Sequence, residues 1–119
     1  SSKFGIVRKH QKLKSKEAHG GIDIKAKNGT PVIATADGVI MKAKKEGNWG
    51  NLSVISHGNG CETWYAHLKG FNTEELTKVN KGDIIGYVGS TGLSTAPHLH
   101  YEVRLNGVPV NPEKYSLTN

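Results

Sequence analysis

The sequence runs to 119 residues, 35% of them apolar, with 15 glycines and a formal net charge of +6. That length sets one small domain and excludes two independent lobes, while a glycine share nearly twice the typical ~7%, without the period of collagen, points to short strands and many turns. No run approaches the ~20 apolar residues of a membrane-spanning helix, and the lone Cys61 excludes a disulfide within the chain.

Lys3, Arg8, Lys9, Lys12, Lys14 and Lys16 precede the first acid, Glu17, and the rest of the chain holds ten basic and ten acidic side chains. Residues 1–16 therefore form a basic N-terminal segment, drawn to anionic surfaces such as acidic cell-wall polymers. No nucleic-acid partner is expected, because no interleaved aromatic pattern for base stacking accompanies these lysines. Residue 1 is neither Met nor the opening of a signal sequence, which reads as an excised mature domain without its address.

Past residue 20 the chain reads as strands broken by Gly, Asn and Asp. Pro31 opens the apolar run Val32 to Ala36, and Asp37-Gly38 is a turn pair before Val39-Ile40-Met41, which predicts a hairpin. Leu52, Val54 and Ser56 alternate with Ser53, Ile55 and His57; Gly58-Asn59-Gly60 then turns the chain into Cys61 to Leu68, predicting a second hairpin. Thr73 to Val79 reads as one helical turn or a loop. Lys81-Gly82-Asp83 introduces the strand Ile84 to Val88, and the Gly, Ser and Thr segment Gly89 to Pro97 feeds a last strand, His98 to Leu105. No amphipathic stretch is long enough for a substantial helix, so the expected fold is mostly β and antiparallel.

In the last strand, alternation puts Leu99, Tyr101 and Val103 on one face and His98, His100, Glu102 and Arg104 on the other. Two parallel imidazoles suit joint work on a metal or one ligand beside one proton shuttle, although a His-x-His pair alone is weak evidence and fits a surface or packing role better. His19 and Asp23 stand four apart around Gly20-Gly21. The two glycines argue against a helix, and a straight strand would hold the two Cα atoms ~13 Å apart, so one ion can reach both only if the chain bends at Gly20-Gly21. His19, Asp23 and His100 together make two imidazoles and a carboxylate with one position left for water, the stoichiometry of catalytic zinc sites. His67 and His98 remain as candidates for proton transfer. Glu102 could orient a ligand or pair with Arg104 or a lysine; His57, before its turn, reads as structural, His10 as surface, and Trp49 as groove lining or turn packing.

Gly20-Gly21 inside His19-x-x-x-Asp23, Gly29-Thr30-Pro31-Val32, Asp37-Gly38, Trp64-Tyr65-Ala66-His67-Leu68, Gly89-Ser90-Thr91-Gly92, and Pro97-His98-Leu99-His100-Tyr101-Glu102-Val103-Arg104 followed by Asn111-Pro112 stand in a fixed order. Together they resemble the lysostaphin and LytM-type zinc endopeptidases. The resemblance implies a compact single domain of antiparallel sheets with a substrate groove over residues 17–119, acting outside the cytoplasm; a monomer is the expected state. It would hydrolyse peptide bonds in the stem peptides or cross-bridges of bacterial peptidoglycan. It implies one zinc ion held by His19, Asp23 and His100, with His67 and His98 as the non-ligand active-site histidines. The ion would lower the pKa of water towards ~7 and polarise the scissile carbonyl. One histidine would take a proton from water while the other stabilises the oxyanion or protonates the leaving amine. Sharing a strand with a ligand favours His98 as the base. The family also often carries an aromatic residue or an Arg shortly before the first ligand; residues 8–18 hold no Tyr, and Arg8 is the nearest Arg. The competing reading is a catalytically silent relative that binds wall or activates another hydrolase, but such relatives usually lack metal-binding or active-site residues, and all five stand here.

Overall fold

The computed structural model describes residues 16–18, 21–92 and 96–110, with the backbone alone at 16–18. His19, His10 and all of the basic N-terminal segment except Lys16 lie outside the described residues. In chain order the elements are β1 (Lys16–Ala18), β2 (Gly21–Lys25), β3 (Pro31–Ile33), β4 (Gly38–Lys45), a 3-10 turn (Gly47–Trp49), β5 (Asn51–Gly58), β6 (Cys61–Phe71), β7 (Lys78–Val79), β8 (Ile84–Val88), β9 (His98–Leu105) and β10 (Val108–Val110). The strands lie in the order β1-β2-β9-β6-β5-β4-β7, with β10 on β9 and β8 joining β6 to β3. Every pairing is antiparallel. The mostly β expectation holds, and none of the described residues forms a helix long and apolar enough to cross a membrane.

The β5–β6 hairpin forms where the turn residues predict it. Gly58 pairs with Cys61 around Asn59-Gly60, whose φ values of 54° and 78° are both positive, the geometry that matches the twist of the flanking strands. The hairpin expected at Asp37-Gly38 does not form. β3 pairs with β8, and β4 pairs with β5 and β7. The chain between β3 and β4 is instead drawn inward at the buried Thr35, whose hydroxyl bonds the hydroxyls of Tyr65 and Tyr101 at 3.1 Å each. Asp37 then makes a corner, accepting the Lys81 N–H at 2.7 Å.

The main core takes Ile22 and Ile24 from β2, Ile40 and Ile55 from β4 and β5, Tyr65 from β6, and Leu99, Tyr101 and Val103 from β9. The β9 alternation is thus observed as the sequence predicts, and each fully buried side chain of this size contributes roughly 1.5–3 kcal/mol. On the other face, Leu52, Val54 and Ala66 form a smaller cluster against which Trp49 and Trp64 pack. Both faces of the β5–β6–β9 ladder are therefore covered, and the second carries the site.

Candidate active site

β2 and β9 bring the first groups together through register. Asp23 pairs with His100, Lys25 with His98 and Gly21 with Glu102, so residues two apart on each strand share one face. Asp23 Oδ1 lies 2.7 Å from His100 Nδ1 and 3.7 Å from His98 Nε2. The His100 hydrogen bond outweighs burial and holds the Asp23 carboxyl below the usual carboxylate range.

His67 arrives from β6. That strand pairs with β9 as far as Ala66↔His100 and with β8 from Leu68 onward. At the change of partner His67 takes φ 64°, a left-handed conformation that costs a non-glycine residue ~1–2 kcal/mol and persists only where its surroundings over-determine it. The surroundings here are a lock of hydrogen bonds. His67 Nδ1–H donates to the Thr91 carbonyl at 2.6 Å, and the Thr91 hydroxyl donates to the Leu68 carbonyl at 2.7 Å while accepting the Asn51 N–H at 3.0 Å. Gly50 and Gly92, with φ 68° and 74°, let the two loops interlock, since a Cβ on Gly50 would strike Thr91 and one on Gly92 would strike Gly50. The His67 ring is thereby set 5.0 Å from that of His98 and 6.3 Å from that of His100. Burial pushes the His67 imidazole below its ordinary pKa.

Beneath His100 sits Glu102, 2% exposed. It accepts His100 Nε2–H at 2.9 Å and Arg104 Nε–H at 2.8 Å. Burial alone would raise the carboxyl, but these two bonds win and lower it. For His100, burial would lower the ring, and the bonds to Asp23 and Glu102 instead raise it to about 9. The Arg104 guanidinium lies 3.7 Å over the Trp64 ring, and Trp49 stands 5.7 Å from the His100 ring. Trp49, His67, His100 and Arg104 line one open cavity of about 370 Å³.

The sequence profile of peptidase family M23 matches residues 17–112. This chain belongs to peptidase family M23. Over 117 residues, 98% of its length, the M23 domain is 53% identical to DD-carboxypeptidase/endopeptidase Mpg of Neisseria meningitidis and 40% identical to peptidoglycan DD-endopeptidase ShyA of Vibrio cholerae. It covers 27% of each, so it spans about a quarter of the length of these relatives. The catalytic domain of lysostaphin from Staphylococcus simulans matches it with a TM-score of 0.83 at 30% identity, over 92% of this chain and 96% of that domain. A zinc-containing peptidase from Vibrio cholerae matches with a TM-score of 0.79 at 36% identity, over 83% of this chain and 31% of that one. The M23 domain is thus of the lysostaphin type, a metallopeptidase domain, as its motifs imply.

The donor chemistry of this M23 domain fits a zinc ion. Glu102 takes the Nε2–H of His100, so Nδ1, whose proton bonds Asp23 here, is the ring atom that would turn to a metal on giving up that proton. Carboxylate, imidazole and metal arranged in this way fix the ring's tautomer and orientation, and the donor types suit zinc. His19 lies outside the described residues, among which no three His, Cys, Asp or Glu gather as a metal site. Four of the five sequence-predicted positions, Asp23, His67, His98 and His100, converge.

Other expectations divide. His57 is structural: Nδ1–H donates to the Asp37 carbonyl at 2.6 Å and Nε2 meets the Thr63 hydroxyl at 2.8 Å. Trp49 both packs on Trp64 and lines the cavity. Glu102 bonds His100 and Arg104 at once. Burial pushes the Cys61 thiol up, the wrong direction for a nucleophile. Thr91 and Asn51 carry no sequence signal for the part they play around His67. Thr91 stands in the family-like Gly-Ser-Thr-Gly segment, but it holds His67 through a backbone carbonyl, which any residue type supplies.

Proposed function

We propose that this M23 domain is a zinc-dependent endopeptidase, acting outside the cytoplasm on peptide bonds in peptidoglycan stem peptides or cross-bridges. His19, Asp23 and His100 hold the ion, and His67 and His98 carry the proton transfers. The observation behind this reading is the meeting of Asp23, His67, His98 and His100, from three strands, with Oδ1 of Asp23 2.7 Å from His100 Nδ1 and the two remaining rings 5.0 Å apart. The naming of the Vibrio cholerae relative as a peptidoglycan DD-endopeptidase, and of the Neisseria meningitidis relative as a DD-carboxypeptidase/endopeptidase, supports the substrate class.

Zinc, when bound, supplies Lewis acidity towards the scissile carbonyl and the attacking water. His67 commits its Nδ1–H to Thr91 and so presents the Nε2 lone pair; kept neutral near pH 7 by burial, it suits the role of general base. This favours His67 over His98, whose preference from the sequence rested on its shared strand with a ligand. His98, anchored by Nδ1–H on the Ala96 carbonyl at 3.0 Å, is then the group that, when protonated at Nε2, holds the developing oxyanion, while His67 passes the proton it took from water to the leaving amine. A water oxygen becomes bonded to the carbonyl carbon, the C–N bond breaks, and the water's proton ends on the new amine.

Mass spectrometry of the muropeptides released from purified peptidoglycan by the zinc-loaded domain, beside a chelated sample, tests the proposal. New amine and carboxyl ends in the first sample only are expected. No cleavage by a fully loaded domain would overturn the reading and leave the silent wall-binding relative.

A further inference from the structure

Among the described residues that line the cavity shared by His67 and His100, Arg104 is the only Arg or Lys. Two constraints fix its guanidinium, since Nε–H is taken by Glu102 and the planar face lies on Trp64. A guanidinium carries five N–H donors in a rigid fork, and among the described residues the two terminal amino groups have no acceptor. Trp49 touches both ends of the cavity, with its ring 5.7 Å from His100 and 5.8 Å from the Arg104 guanidinium carbon. A peptide laid on Trp49 with its scissile bond near His100 therefore runs towards an oriented, partly desolvated cation. A carboxylate is the group that such a fork binds in bidentate fashion, and Lys cannot reproduce the geometry.

We propose that Arg104 is a specificity-determining residue that binds a substrate carboxylate beside the bond that is cut. The inference rests on the peptidase reading and narrows it. A D-alanyl to diaminopimelate cross-link carries a free carboxylate on the carbon next to the leaving nitrogen, and so does a peptide that ends in D-Ala-D-Ala. The inner bonds of a glycine bridge carry none. The domain is thereby directed to direct cross-links and away from glycine bridges.

The test uses two purified cross-linked muropeptide dimers, one with the diaminopimelate carboxylate free and one with it amidated, on wild type, R104Q and R104K. Wild type should cleave the free acid with a kcat/KM about 10- to 100-fold higher than the amide, the worth of a hydrogen bond to a charged group. R104Q should erase most of that ratio and R104K keep part of it. The ratio is read rather than the rate, because R104Q also takes a partner from Glu102. Equal rates on both dimers in wild type, or a ratio that R104Q leaves unchanged, would overturn the proposal and reduce Arg104 to a brace for Glu102. Calorimetric binding of the same dimers to the chelated protein separates this from the reading beneath it. Arg104-dependent preference for the free acid without any hydrolysis by loaded protein would sink the peptidase and keep the subsite; hydrolysis without the preference would do the reverse.

Discussion

Removing the Glu102 carboxyl should cost the domain stability and, on the zinc reading, affinity for the ion as well. The group is 2% exposed and takes one donor on each oxygen. In Glu102→Ala both donors lose a charge-assisted bond of about 1.5–3 kcal/mol. Their side chains are 12% and 20% exposed, so water reaching the space left by the carboxyl recovers part of this, and the metal-free protein should lose about 2–4 kcal/mol of stability. Glu102→Gln fills the same volume but offers one oxygen to two donors, and should lose about half as much. Zinc affinity should fall about 10- to 100-fold in the Ala variant, as it does when a ligand's outer partner is removed. Gln should lie between Ala and wild type. Competition for zinc against a chelating dye measures the affinity, and denaturant titration of the chelated protein measures the stability. An Ala variant that loses the stability yet binds zinc within about two-fold of wild type would refute the reasoning, because Glu102 would then be a core ion pair with no part in orienting His100.

Four further outcomes follow from the same geometry. A Cβ at Gly21 would sit 2.7 Å from Glu102 Cγ and 2.9 Å from the His100 ring, so Gly21→Ala should cost about 1–3 kcal/mol by overpacking and lower zinc affinity, both read in the assays above. Thr91→Val deletes the hydroxyl bonds to Leu68 and Asn51 and should lower kcat about ten-fold, with KM and zinc affinity near wild type in steady-state kinetics. Because burial lowers the His67 pKa and a general base must be unprotonated, the acid limb of the kcat/KM profile should fall below the ordinary histidine pKa of ~6.5; His67→Gln should abolish that limb with most of the activity. Burial also lowers the folded-state pKa of His57, so the unfolded chain binds its proton first. Stability from this group is complete above ~6.5 and is lost as pH falls through the folded pKa; His57→Gln should flatten that part of the pH dependence in denaturation curves.

Where one local signal was enough, the sequence reading and the structure agree in detail. β9 runs from His98 to Leu105 as the alternation predicts, and Asn59-Gly60 makes the β5–β6 hairpin. At Asp37-Gly38 a turn pair between apolar runs looks like a hairpin, yet β3 and β4 do not pair. There the outcome depended on β8, some 50 residues away in sequence, pairing with β3, and on a buried Thr35 reaching two tyrosines. Neither partner is visible from the local pattern. Likewise, β6 extends past the expected Leu68 to Phe71 because it exchanges β9 for β8 at His67.

The residue types and their order determined the family resemblance, the mostly β class and the identity of the candidate groups, because alternation along a strand and donor chemistry are properties of neighbours in the chain. Tertiary structure alone decided that Asp23 faces His100 across a strand pair, that His67 is turned in by a left-handed backbone held at Thr91, and that Glu102 and Arg104 form a stack on Trp64. Each of these rests on register and on contacts between segments 20 to 80 residues apart, and a distance between such segments is set by how strands pair and pack, which no local pattern encodes.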